Sequence, residues 1–147
     1  MLFPQKSQYA LRALFELAKL YNTGPVKISH IAEAQVIPLR FLEIILNQLK
    51  QGGFADSVRG KEGGYYLTRA PEVLTIGEVI RFIQGPMDPV DCVVGKSKCP
   101  LAGGCAFEPM WDRVRDAVAG VLDTTTFQDL IETEARRKRD AKPSYVI

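Results

Sequence analysis

The sequence predicts a mainly α chain with one small β-hairpin. Three observations lead there. Apolar residues recur at three- and four-residue spacing through much of the chain, the period of helices lying on a core. One stretch, "FADSVRGKEGGYYLTR", alternates instead around a glycine-rich centre, as a two-stranded ribbon does. Gly24-Pro25, Gly52-Gly53 and Gly85-Pro86 punctuate the periodic segments. At 147 residues the chain is one domain, or one small domain with an appendage, and is long enough to bury a core without staples.

The apolar and charged fractions are those of an ordinary globular protein, which excludes disorder as the main state. The start, "MLFPQKSQYALRALFELAKLY", has no basic region ahead of a long apolar run. Arg12, Glu16 and Lys19 interrupt it, so it reads as neither signal peptide nor membrane span. That places the chain in the cytoplasm, where thiols stay reduced, and its odd count of three cysteines argues against a disulfide frame. Residues 1–70 hold nine Lys/Arg against five Asp/Glu, a net of +4; residues 71–147 hold ten against twelve, a net of −2. A basic first half suits a polyanion, although chance clustering produces the same count.

In the first helix, Tyr9, Ala10, Ala13, Leu14, Leu17, Ala18 and Tyr21 share a face up to Gly24-Pro25. A short helix follows at "ISHIAEAQ". After "VIP" a third begins, "LRFLEIILNQLKQGG", with Leu39, Leu42, Ile45, Leu46 and Leu49 on the inner side and Pro38 in the first turn, where a missing N–H is harmless. Two short helices joined by about three residues make a helix-turn-helix, whose second helix enters a DNA major groove by its N-terminal residues. Here those are Pro38, Leu39, Arg40 and Glu43. Arg40 can donate twice to a guanine edge, and Glu43 can accept from a cytosine amine. A plain helical hairpin with a solvated charged face is the rival reading. The ribbon that follows favours DNA: a hairpin directly after a recognition helix is a wing. Its tip, with Arg59, Gly60 and Lys61, is basic and stripped of bulk, suited to a minor groove or phosphates.

The second half opens with "TIGEVIRFIQG". Thr75 and Glu78 have capping-box spacing, and Ile76, Val79, Ile80 and Ile83 form one apolar face. After a loop, "FEPMWDRVRDAVAGVLD" spaces Phe107, Trp111, Val114, Val118 and Val121 by 4, 3, 4 and 3, the seam of two helices side by side. A helix lying on its own core gives the same pattern, but operator-binding proteins of this kind usually work as two-fold dimers. A last helix starts at Thr126, with Asp129 again at capping-box spacing. The tail "ARRKRDAKPSYVI" is charged, then broken by proline, and reads as frayed.

The loop holds all three cysteines, Cys92, Cys99 and Cys105, spaced C-x6-C-x5-C with glycines between. Thiolates suit zinc, copper(I) or iron–sulfur iron. Structural zinc favours closer pairs; a wide, flexible loop fits a larger object such as an iron–sulfur cluster. A thiol redox switch remains open too. His30, the one histidine, reads as an exposed helix residue, and Glu108 as an acid favoured by a helix N-terminus.

Taken together, "SQYALRAL", "IAEAQVIPLRFLEIILNQLKQGGF", "SVRGKEGGYYL", "TIGEVIRFIQG" and the cysteine trio resemble the Rrf-two-type (IscR/NsrR-like) winged-helix transcriptional regulators over about residues 1–135. The resemblance implies a winged helix-turn-helix over 1–85, a cysteine-rich cluster-binding loop over 86–106, a dimerisation helix and a following helix over 107–135, and a charged tail over 136–147. It implies a homodimer formed through the long helix, and a cluster, 2Fe–2S or 4Fe–4S, in members that carry the three cysteines. Some members have a histidine three residues after the third cysteine; this chain has Glu108 there, so the fourth ligand is open among Glu108, Asp91, a partner's acid and Gln8. Val36 stands where relatives often have glycine, and a β-branched residue disfavours positive φ, so the turn is expected to differ. The reading is a DNA-binding regulator, a repressor on a double-stranded operator, sensing iron–sulfur status, redox state or nitric oxide. A cluster-free regulator using thiol chemistry or a protein partner is the alternative. An electron-transfer module or enzyme fits less well, because no nucleotide fingerprint and no nucleophile–base pair stands out.

Overall fold

The computed structural model describes residues 2–90 and 99–141. Its elements run α1 (Gln5–Lys19), α2 (Ile28–Gln35), α3 (Leu39–Gln51), β1 (Ala55–Val58), β2 (Gly64–Leu67), α4 (Ile76–Gln84), α5 (Glu108–Leu122) and α6 (Phe127–Asp140). α1 is the axis of the core. Ala10, Ala13, Leu14 and Leu17 are buried on it, and α2, α3, α4 and α6 all lie against it. The alanines let neighbouring helices approach. Leu42, Ile45, Leu46 and Leu49 of α3 and Val79 and Ile80 of α4 complete the interior.

α3 closes in a Schellman motif. The Phe54 N–H reaches the Leu49 carbonyl at 3.0 Å, the Gly53 N–H reaches that of Lys50 at 3.1 Å, and Gly53 takes φ +78°. β1 and β2 then pair antiparallel, with Ala55 opposite Leu67 and Val58 opposite Gly64.

Several expectations are corrected. α1 stops at Lys19, short of Gly24-Pro25, because the Thr23 hydroxyl and N–H both bond the Leu20 carbonyl, and Asn22 turns left-handed. Pro38 is the N-cap of α3 rather than part of its first turn. Leu39 is 48% exposed and is not on the inner side. Only half of the Thr75 box forms: the Thr75 hydroxyl accepts from the Glu78 N–H at 3.3 Å, while the Glu78 carboxylate lies 3.0 Å from Arg69. The Thr126 box is complete, with bonds of 3.1 and 2.9 Å.

The segment after 135 is helical up to Asp140 rather than frayed. Lys138 sits 3.1 Å from Glu134 one turn before it, and the cations of the last turn suit the helix dipole. The division at residue 85 is one of sequence and not of packing. Phe127 of α6 is fully buried in the first-half core beside Leu74, and backbone bonds Phe127 N to Leu74 O and Ile76 N to Thr125 O tie the two halves.

Charge is also buried here. The Glu16 carboxylate accepts from the Gln35 amide at 2.9 Å, lies 3.0 Å from Lys19 Nζ, and sits 3.2 Å from His30 Nε2. Lys19 also reaches Glu134 of α6 at 3.0 Å. Burial pushes the Glu16 carboxyl upward. The hydrogen bonds from Gln35 and Lys19, the Lys19 charge and the His30 contact outweigh it and hold the group below its ordinary value. His30 is therefore a second-helix residue paired to α1.

A carboxyl held low in the fold contributes stability that is present above its unfolded pKa and lost as pH falls through the folded one. Glu16→Gln is expected to cost about 1–3 kcal/mol in urea unfolding at neutral pH. The gap to the unmodified protein should narrow as the medium is acidified below 4.5. A gap independent of pH would show that Glu16 is not an anion in the fold.

Candidate nucleic-acid interface and cysteine loop

α2 ends through the same device as α3, with a different residue. The Ile37 N–H reaches the Ala32 carbonyl at 3.0 Å, and Val36 sits in the left-handed region at φ 53°, ψ 55°. Valine thus takes a left-handed conformation that glycine adopts more readily. Its side chain is 78% exposed. From α1, the Arg12 guanidinium donates to the Gln35 and Val36 carbonyls, satisfying groups the helix end leaves free.

This turn launches α3. Pro38 O accepts the Phe41 and Leu42 N–H groups at 3.1 and 3.0 Å, which starts the helix. Leu39, Arg40 and Glu43 are exposed on its first turns, and the Arg40 guanidinium rests 4.8 Å from the Phe41 ring centre. The sequence reading missed Phe41 and Ile44, two exposed apolar side chains beside Arg40 and Glu43. An apolar group there suits a thymine methyl. Both fall off the buried stripe of Leu42, Ile45, Leu46 and Leu49, and apolar residues at such off-stripe positions are the signal in the sequence.

The wing follows directly. Arg59, Gly60 and Lys61 are exposed at its tip. The start of its second strand is fixed by a third extended segment: Val26 and Tyr65 exchange backbone bonds of 2.7 and 2.8 Å. Gly64 is required there, since a Cβ would stand 2.4 Å from the Val26 carbonyl oxygen. The hairpin is thus pinned to the entrance of α2.

At the other end of the molecule, Cys99 and Cys105 are free thiols, both half-buried. Each carbonyl accepts from an N–H three residues on: Cys99 O from Ala102 N, and Cys105 O from Glu108 N at 3.3 Å. Glu108 is the first residue of α5 and half-buried. Cys92 and Asp91 lie outside the described residues. Among the described residues no three His, Cys, Asp or Glu side chains are grouped to hold a metal ion. Two soft thiols and one carboxylate leading into α5 are nonetheless a donor set compatible with a thiolate-bound group.

α5 has no buried residue. Phe107 and Val121 are each 63% exposed, Val114 and Met110 are exposed, and Trp111 and Val118 are half-covered. Its C-terminal end is held to α4, where Arg81 meets Asp123 through two bonds of 2.5 and 2.8 Å. Those bonds keep the Asp123 carboxyl below its usual value. No described helix is long and apolar enough to cross a membrane.

A helix-turn-helix with a hairpin wing directly behind its second helix defines the class of winged-helix DNA-binding regulators. The family described as Rrf2, iron-dependent transcriptional regulator, matches residues 3–133, and the chain belongs to it. It is 36% identical over 125 residues to the HTH-type transcriptional regulator CymR of Bacillus subtilis, covering 85% of this chain and 86% of that one. To the HTH-type transcriptional regulator IscR of an Enterobacter species it is 32% identical over 134 residues, covering 91% and 82%. The solved structure of CymR, described as the global cysteine regulator of B. subtilis, superimposes with a TM-score of 0.78 at 34% identity, covering 89% and 96%.

Left-handed backbone costs a β-branched residue about 1–2 kcal/mol, and glycine gives part of that back through its freer unfolded chain. Val36→Gly is therefore expected to stabilise the protein by about 0.5–1 kcal/mol in denaturant unfolding. A destabilised variant would mean that the exposed valine makes contacts that matter.

Proposed function

We propose that this Rrf2-family regulator is a homodimeric repressor. It binds a near-palindromic operator with Leu39, Arg40 and Glu43 in the major groove and the Arg59–Lys61 tip beside it. An iron–sulfur cluster on Cys92, Cys99 and Cys105, with Glu108 as a carboxylate ligand, sets its state. One observation carries the reading: the free thiols lead straight into α5, a helix in which no described residue is buried and whose apolar side chains are exposed or half-covered. Phe107, Trp111, Val114, Val118 and Val121 form the seam for a second copy. A ligand change at the cysteines is then a change at the dimer helix, which governs the spacing of two recognition helices. When bound, the cluster supplies a centre sensitive to iron supply, oxidants and nitric oxide. An oxygen donor holds iron less firmly than a fourth thiolate, as suits a sensor. The iron-dependent description of the family supports this reading, and a soluble, cytoplasmic protein is the setting it requires.

A second reading has its own support. The likeness to CymR, a global cysteine regulator, favours a cluster-free regulator whose thiols or protein partner carry the signal.

Protein purified without oxygen decides between them. Visible absorption with matched iron and acid-labile sulfide, lost in Cys92→Ala, is expected. A colourless protein without iron after reconstitution would leave the thiol reading. On DNA, Arg59→Ala is expected to weaken operator binding and lower the slope of log affinity against log salt by about 0.9. Unchanged binding would remove the wing from the interface.

A further inference from the structure

The wing is fastened in two places, and the second involves a residue with no assigned role. Lys27 is the N-cap of α2, in extended backbone, immediately after the Val26 bridge to Tyr65. Its ammonium donates to the backbone carbonyl of Lys61 at the wing tip. The tip turn itself is closed by the Gly63 N–H on the Gly60 carbonyl at 3.0 Å. Two backbone bonds therefore hold the start of β2 and a third holds the tip, all from the two residues that precede α2.

Lys27, Arg59 and Lys61 stand around one tip, with Glu62 as the acid of the turn, and among the described residues none of the three cations takes part in an ion pair. A lysine that bonds a carbonyl keeps its full positive charge, and this one brings that charge to two other cations. Three cations against the one acid, Glu62, leave the tip net positive, which suits a nucleic-acid backbone.

We infer that Lys27 is a positioning residue for the wing: by holding the Lys61 carbonyl it fixes the tip backbone, so that the Arg59 and Lys61 side chains meet DNA already aimed. The inference rests on the DNA-binding reading above. It also makes α2 and the wing a single unit, because the same two residues begin the helix and pin the hairpin.

The test is a double-mutant cycle on a duplex enriched by the unmodified protein from a random-sequence pool. Lys27→Met is expected to weaken binding about fivefold, and Lys27→Arg to restore most of it. In an Arg59→Ala, Lys61→Ala background the same Lys27→Met change should cost less than about twofold, since both side chains it positions are gone. In free protein, the Gly63 amide of Lys27→Met should exchange its hydrogen faster while the unfolding midpoint stays put. An equal loss in both backgrounds would make Lys27 an independent phosphate contact and overturn the inference. Unaltered Gly63 exchange would overturn it as well. If the unmodified protein enriches no duplex at all, the DNA-binding reading falls and takes this one with it.

Discussion

The structure turns on one left-handed residue. For α3 to leave the core with Leu39, Arg40 and Glu43 in the open, α2 must stop within a single turn, and that stop needs positive φ at Val36. Valine is a poor residue for it. The conformation holds because α1 reaches across. Arg12 takes the two carbonyls that the turn frees, and Glu16 holds the Gln35 side chain at 2.9 Å. The same helix that forms the axis of the apolar core thus carries the polar groups that set the helix-turn-helix angle. Burying Glu16 is tolerable only because Gln35, Lys19 and His30 surround it; an unpaired carboxylate at that depth would be strongly destabilising.

α4 lies between the two functional ends. Its Arg81 grips Asp123 at the end of α5, and Gly77 leaves the room, since a Cβ there would stand 2.0 Å from Asp123 Oδ1. One residue on, Phe82 covers Gly52 at the end of α3 and packs against Phe54 with ring centres 5.3 Å apart. The ion pair is exposed and contributes little energy. Its two bonds join α4 to the C-terminal end of α5, the end away from Cys105.

Much of this was legible in the chain. α2 falls on "ISHIAEAQ", the buried stripe of α3 on Leu42, Ile45, Leu46 and Leu49, and the Thr126–Asp129 cap on its sequence pattern. Those features depend on neighbours three or four residues apart. The ends that were misjudged depend on distant groups or on local competition. α1 yields early to the Thr23 and Asn22 turn, and α6 runs on through its basic stretch because Glu134 and the helix dipole favour it. Arg12 and Glu16 were noticed only as charges that rule out a membrane span, since nothing within four residues hints at their partners on α2.

Sequence periodicity and punctuation pointed to the helices and the hairpin, because these are written in spacings along the chain, and the residue strings themselves carried the family resemblance and the cysteine trio. Tertiary structure decided which charges are buried, that Val36 takes a left-handed conformation, that Phe127 joins the first-half core, and that no described residue of α5 is buried. These outcomes follow from side chains that meet only when residues far apart in sequence are brought together, and a local pattern carries no record of such meetings.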